Sequence, residues 1–343
     1  MHEQAMSISE QNRHLQKVSR TFALTIPLLP QPLADYVANA YLLCRIADTV
    51  EDDPKAAVPV KQAWLRDFGA LAAQGFPEGK SLEDLSSRAR AFLKEGAVAS
   101  EYSLVCDMEK ALSRTRGFPP ETLKAISRGV AILSRGMAES LNGVKIACFA
   151  DLDRYCYFVA GVVGELLAAL FAQSDPGIDA EKLAALSVSF GEGLQLTNIL
   201  KDRSQDLRRG ASYLPGDSAD PDTVRDAAAV TLGHLENAME FTRGLPRRSL
   251  GIRRFCLMNV CMAAATLKII CKDPEGDASA LKITRAQVKR LYRLCSGAAR
   301  FNLSSALLWR CLTRRLRKKT VDALALRAQV SVWDQDLKEF NRY

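Results

Sequence analysis

Tyr41-Leu-Leu-Cys-Arg-Ile-Ala-Asp-Thr-Val-Glu-Asp-Asp53 sets carboxylates into a segment whose other residues belong in a core. Tyr41, Arg45, Asp48 and Asp52 follow one another at steps of four, three and four, so on an α-helix they share one stripe, while Leu42, Leu43, Ile46 and Val50 mark the buried remainder. Two carboxylates one turn apart repel, and desolvation sharpens the repulsion. A hard divalent cation relieves it. Magnesium takes one or two carboxylates and fills its remaining positions with water and substrate phosphate.

With 39 acidic residues in 343, about four acid pairs at this spacing arise by chance. A second stripe raises the odds. Gln195, Asn198, Asp202 and Asp206 are spaced three, four and four within Gly191-Glu-Gly-Leu-Gln-Leu-Thr-Asn-Ile-Leu-Lys-Asp-Arg-Ser-Gln-Asp206. Two polar stripes that each end in Asp-x-x-x-Asp are expected to be facing walls of one site.

The surrounding chain reads as helix throughout. Pro27 and Pro30 end the first piece, Pro32 is placed in the first turn of the helix with the first stripe, and Pro54 marks that helix's end. Val60, Trp64, Phe68 and Leu71, then Leu82, Leu85, Ala89, Phe92 and Leu93, recur at helical spacing around a connection at Gly75 to Gly79. Pro119-Pro120 opens a helix over about 121 to 142. From Asp151 to Phe171 the chain is apolar nearly all round, which predicts a buried helix capped by Asp151 or Asp153.

Gly161 and Gly164 in that helix point either to close helix contact or to room for a long apolar ligand. The second acid helix spans about 180 to 208 and ends near Gly210, and further helices are expected near 222 to 243, 247 to 272, 284 to 300 and 302 to 317. The expectation is one all-α domain over 1 to 317, followed by a polar C-terminal segment at 318 to 343.

Hydrophobic residues at 48% and charged residues at 25% describe a folded chain, and the net charge of +8 favours an anionic partner. Nine cysteines without a Cys-x-x-Cys pair read as reduced core residues of a cytosolic protein, and three scattered histidines give no zinc signature. There is no uninterrupted run of eighteen apolar residues, and Met1 to Gln4 open no signal-peptide core. A cytoplasmic protein with no transmembrane segment is expected. Leu307, Leu308, Trp309 and Leu312 beside Arg314-Arg-Leu-Arg-Lys-Lys319 allow peripheral contact with the inner membrane surface.

Neither a Walker loop nor a dinucleotide fingerprint is present, so phosphate must be held by metal-bridging acids with Arg45, Lys201 and Arg20. If the leaving group departs from an allylic carbon, a carbocation remains, which needs dry apolar walls and π faces. Phe22, Tyr41, Tyr155, Tyr157 and Phe158 are candidates.

Ser19-Arg-Thr-Phe22, the Tyr41 to Asp53 stretch, Gly136-Met-Ala-Glu139, Asp153-Arg-Tyr-Cys-Tyr-Phe-Val-Ala-Gly-Val-Val-Gly164 and Gln195 to Asp206 together resemble the squalene and phytoene synthase family over about residues 15 to 270. The resemblance implies an isoprenoid synthase fold around a central cavity. It also implies a prenyl transferase that couples two prenyl diphosphates head to head with magnesium. By that resemblance Asp48, Asp52, Asp202 and Asp206 hold metal, and Arg20, Arg45 and Asn198 serve the diphosphates. Tyr155 acts in the first half-reaction, and Ser19, Phe22, Tyr41, Gln195 and Lys201 line the site.

Asp48 to Asp53 and Tyr155 to Gly164 are most similar to the family branch that joins two farnesyl diphosphates through presqualene diphosphate and reduces the product with NADPH to squalene. Tyr213-Leu-Pro215 instead resembles the phytoene, dehydrosqualene or hydroxysqualene branch, which omits the reduction. Lys201 stands where the family has arginine, Gln205 where it has an acid, and Phe255 to Leu267 lacks the Pro-Gln pair of the squalene-forming branch. A basic helical protein binding membrane or nucleic acid is the alternative of another class. It explains the charge but gives the acid stripes no purpose.

Overall fold

The computed structural model describes residues 5–337. The first four residues, read above for a signal core, and 338–343, the end of the expected polar segment, lie outside the described residues. The described residues form helices and connecting turns without strands, in two compact units.

The first unit is Met1–Gly143 with Val332–Tyr343. It contains α1 (Ile8–Val18), α2 (Phe22–Thr25), α3 (Leu33–Asp52), α4 (Val58–Ala73), α5 (Lys80–Leu93), α6 (Ala99–Cys106), α7 (Met108–Arg116) and α8 (Pro120–Ser140). Helix α3 is the axis of this unit and packs against α1, α6, α7 and α8. Pro32 stands one residue before α3 as its N-cap, slightly earlier than expected. Lys61 Nζ donates to the carbonyls of Glu51 (2.7 Å) and Asp53 (3.1 Å), placing a cation at the helix C-terminus, where the dipole favours it. Arg114 forks onto Asp35 with Nε at 2.8 Å and Nη2 at 2.5 Å, fastening α7 to the first turn of α3.

The second unit is Val144–Ser331. It contains α9 (Phe149–Cys156), a π turn at Tyr157–Gly161, α10 (Val162–Ser174), α11 (Ala180–Arg208), α12 (Pro221–Gly244), α13 (Leu250–Lys272), α14 (Arg285–Ala298), α15 (Asn302–Thr313) and α16 (Ala323–Val330). Helix α11 is the axis here, touching the π turn, α10, α12, α13 and α16. The single apolar helix expected over 151 to 171 is therefore broken by one π turn. Asp151, at the third position of α9, accepts from the backbone N–H groups of Ala147 (3.1 Å) and Cys148 (3.2 Å). Asp153 takes no part in the cap.

The glycines of this run serve close contact. A Cβ on Gly164 would stand 1.9 Å from the Ser187 carbonyl oxygen, and one on Gly191 would stand 2.0 Å from that of Ala160. Backbone meets backbone at both places, which decides the earlier alternative for helix contact. Gly164→Ala is expected to destabilise the protein by about 3 kcal/mol, the upper part of the overpacking range, although alanine ordinarily stabilises a helix interior by almost 1 kcal/mol. Urea unfolding of the variant checks this, and unchanged stability would deny the contact.

Residues 318–331 do not trail away from the second unit. Lys319 N donates to the Ala229 carbonyl at 2.9 Å, and Asn237 Nδ2 donates to the Val321 carbonyl at 3.0 Å. Arg327 Nε and Ser331 Oγ reach Glu165 at 2.9 and 2.8 Å. Within the polar C-terminal segment, the described residues carry α16, docked on α11 and α9.

Helices Phe149–Ser174 and Leu250–Lys272 are long and apolar enough to cross a membrane, and most of each is buried inside this unit, as in core helices. Of the residues expected to meet a bilayer, Trp309 is buried, whereas Leu307 is 55% exposed and is joined by Leu303 at 73%.

Candidate active-site residues

Helix α3 is buried on every side but one. Leu42, Leu43, Ile46, Ala47 and Val50 show no exposure, and Tyr41, Arg45 and Asp48 form the half-buried strip that leads to exposed Asp52. Composition puts acids on this helix, and packing puts them on its one open face. Asp53, the last acid of the run, is buried and turns the chain instead: its Oδ1 accepts from the N–H groups of Lys55 (2.9 Å) and Ala56 (2.7 Å).

Burial pushes the Asp48 carboxyl up to about 7. Arg45 opposes the shift from 3.5 Å, and Asp52 and Glu101 reinforce it; 33% exposure of the side chain screens part of the effect. Glu51 is pushed up to about 8, again chiefly by burial, despite the hydrogen bond donated by Ser140 Oγ at 2.8 Å. Arg45 Nη2 also pairs with Glu101 of α6. The group is thus four carboxylates with Arg45 and Lys61 nearby, a site whose charge calls for a cation. Glu101 was not foreseen, because it lies 56 residues from Arg45 and reaches it only through the packing of α6 on α3.

Ser19, Phe22 and Tyr41 gather at the same end of this unit. Ser19 Oγ accepts from the Phe22 N–H at 3.0 Å, and the Phe22 and Tyr41 rings lie 5.1 Å apart. Tyr41 Oη donates to the Val18 carbonyl at 3.5 Å. Arg20 is exposed beside them.

Helix α11 repeats the pattern. Leu196, Thr197, Ile199, Leu200 and Arg203 are buried, while Gln195, Lys201, Asp202 and Asp206 are half-buried and Asn198 is exposed. Lys201 Nζ donates to Asn198 Oδ1 at 3.0 Å and pairs with Asp202 Oδ2 at 3.1 Å, so the lysine in the arginine position still orders two members of the stripe. Arg203 turns the other way and donates to the carbonyls of Leu200, Pro274 and Gly276. Gly210, at φ 77°, ends the helix as expected, with the Ala211 N–H returning to the Asp206 carbonyl at 3.0 Å.

Tyr155 of α9 stacks on Tyr213, with centroids 5.0 Å apart and planes 16° from parallel. Two motifs distant in sequence therefore meet within the second unit. The π turn that follows Tyr155 carries Tyr157 and Phe158, packed edge to face at 5.3 Å. π turns of this sort interrupt helices most often at functional sites.

The chain is 29% identical over 302 residues to a squalene synthase of Schizosaccharomyces pombe, covering 81% of this chain and 62% of that protein. It thus spans about 62% of the length of that curated relative. The solved complex of TcSQS with the ligand E5700 matches at a TM-score of 0.73 and 24% identity, over 93% of this chain and 95% of that one. A dehydrosqualene synthase in complex with ligand matches at a TM-score of 0.63 and 18% identity, over 84% and 95%. These likenesses show the isoprenoid synthase fold. The family profile described as squalene/phytoene synthase matches residues 15–292, and the chain belongs to that family.

Proposed function

We propose that the chain is a prenyltransferase that condenses two farnesyl diphosphates head to head through presqualene diphosphate and reduces the product with NADPH to squalene. The observation that carries this reading is the pair of acid stripes, each set among buried residues of its helix: Leu42, Leu43, Ile46 and Val50 on α3, and Leu196, Ile199 and Leu200 on α11. Clustered carboxylates such as Asp48, raised by burial and by Asp52 and Glu101, fit a hard divalent cation. Asp48 and Asp52 would hold such an ion in the first unit, and Asp202 and Asp206 would hold one in the second. Bound magnesium would offset the negative charge that builds on a departing diphosphate.

The chain's own residues supply the rest. Arg20 and Arg45 in the first unit, and Lys201 and Asn198 in the second, bind and orient diphosphate oxygens, and Ser19 and Gln195 add hydrogen-bonding groups, each within its own unit. When the C–O bond breaks, its electron pair leaves with the diphosphate. The allylic cation left behind is stabilised by π faces, and the Phe22–Tyr41 contact in the first unit and the Tyr155–Tyr213 stack in the second support this reading. The likeness of Asp48 to Asp53 and Tyr155 to Gly164 to the squalene-forming branch supports NADPH as the reductant.

The Tyr155–Tyr213 stack favours a second reading, since Tyr213-Leu-Pro215 is the segment that resembles the dehydrosqualene, hydroxysqualene and phytoene branch. One assay separates the two. Purified protein is incubated with farnesyl diphosphate and magnesium, with and without NADPH, and extracted products are identified by mass spectrometry. Squalene formed only with NADPH is the expected result. Dehydrosqualene or hydroxysqualene would move the chain to the sister branch, and no turnover of any prenyl diphosphate would sink the enzyme reading. A cytoplasmic location with peripheral membrane contact through Leu303 and Leu307 beside the basic run 314–319 belongs to the same proposal.

A further inference from the structure

Three side chains of the second unit, none of them given a role by the sequence motifs, converge in its interior. Asp153 comes from α9, Glu192 from α11 and His234 from α12, and one ligand atom from each lies within 4.8 Å of the others. Glu192 and His234 have no solvent exposure. Asp153 Oδ1, both Glu192 oxygens and both His234 nitrogens are buried without a hydrogen-bond partner. Each such orphan is costly, and native interiors contain few of them. Five in one place call for a ligand.

The spacing says which kind. His234 Nε2 is 3.7 Å from Asp153 Oδ1, and Nδ1 is 3.6 Å from Glu192 Oε2. Both gaps are too long for hydrogen bonds. Because they involve different ring nitrogens, only one can become an edge of a single coordination sphere, near the roughly 3.4 Å between ligands of a tetrahedral ion bound at about 2.0–2.2 Å. The remaining residue starts within 4.8 Å and closes by side-chain rotation. Burial pushes the Glu192 carboxyl up and the His234 imidazole down to about 4, the response of groups without a countercharge. One imidazole with two carboxylates suits a borderline ion better than magnesium, and zinc binds such a set more tightly than manganese or iron(II).

We propose that Asp153, Glu192 and His234 form a zinc site that pins α9, α11 and α12 together, with small side-chain rotations closing the three ligands on the ion. It is separate from the second aspartate pair: Glu192 precedes Asp202 by ten residues of the same helix, about 15 Å along its axis. The helices it joins carry Tyr155 and the Asp202 stripe, so the ion braces both. The proposal does not depend on which product the chain forms.

The test uses full-length protein stripped with chelator, then titrated with zinc chloride by calorimetry without magnesium or farnesyl diphosphate. One zinc per chain is expected. Glu192→Gln and His234→Gln should each weaken binding at least a hundredfold, and the pair Asp48→Asn with Asp202→Asn should change it less than threefold. If the buried-site variants fail to fold, the native chain still decides, since its melting temperature should rise by several degrees with equimolar zinc. Zinc lost with Asp48 and Asp202 but kept in the buried-site variants would overturn the assignment. So would a stripped chain that neither binds zinc nor melts higher with it, which would leave buried water or shared protons as the occupant.

Discussion

Asp48→Asn is expected to lower diphosphate release by about a thousandfold or more while the protein stays folded. Asparagine keeps the shape but removes the charge that a bound cation needs, and electrostatic groups aimed at a developing charge are typically worth two to three orders of magnitude each. Stability should move the other way. Burial, Asp52 and Glu101 already penalise the Asp48 charge, so its removal should leave melting unchanged or raise it slightly. Asp202→Asn should act alike on turnover, with only a surface ion pair to Lys201 lost. A diphosphate-release assay beside a thermal melt reads both effects. Full turnover by both variants would remove the acid stripes from the chemistry.

A large effect on folding, comparable with that of Gly164→Ala, is expected at Glu165, which is 2% exposed. Its carboxylate accepts from Tyr157 Oη (2.9 Å), Arg327 Nε (2.9 Å) and Ser331 Oγ (2.8 Å), joining the π turn and α10 to the end of α16. Removing one member of a buried ion pair typically costs about 3–5 kcal/mol, because the other charge is left uncompensated. Arg327 is 24% exposed and can partly turn to water, so Glu165→Ala should lie near the lower end, about 3 kcal/mol. Glu165→Gln, which retains an acceptor oxygen, should cost less. Guanidinium unfolding measures both, and an alanine variant within 1 kcal/mol of the native chain would contradict this arrangement.

Much of the architecture was legible because it is written in local rules. Trp64, Phe68 and Leu85, spaced for a helix, are fully buried, and Gly210 stops α11 where a left-handed residue is needed. The acid stripes could be read because three- and four-residue steps convert directly into one helix face. What escaped depends on packing between distant segments. Glu101 beside Arg45 follows from the approach of α6 to α3. The π turn at Tyr157–Gly161 is invisible in a run apolar on every side, since a shifted register there moves no polar residue. Glu165 was a visible exception within that run, but its partners Arg327 and Ser331 sit in a segment whose polarity suggested solvent. The buried Asp153, Glu192 and His234 have no shared spacing at all.

The placement of the last residues has a consequence for how the chain is made. A ribosome releases Arg327 and Ser331 more than 160 residues after Glu165, and the first unit is closed by residues after 331, where the Arg128 guanidinium sits 5.8 Å from the Trp333 ring. Neither unit can complete its native contacts until residues 327 to 333 have emerged, although domains elsewhere often fold in order as they are made. Until Arg327 has emerged, Glu165 lacks the arginine that compensates it. The nascent chain therefore depends for longest on whatever shields its apolar helices.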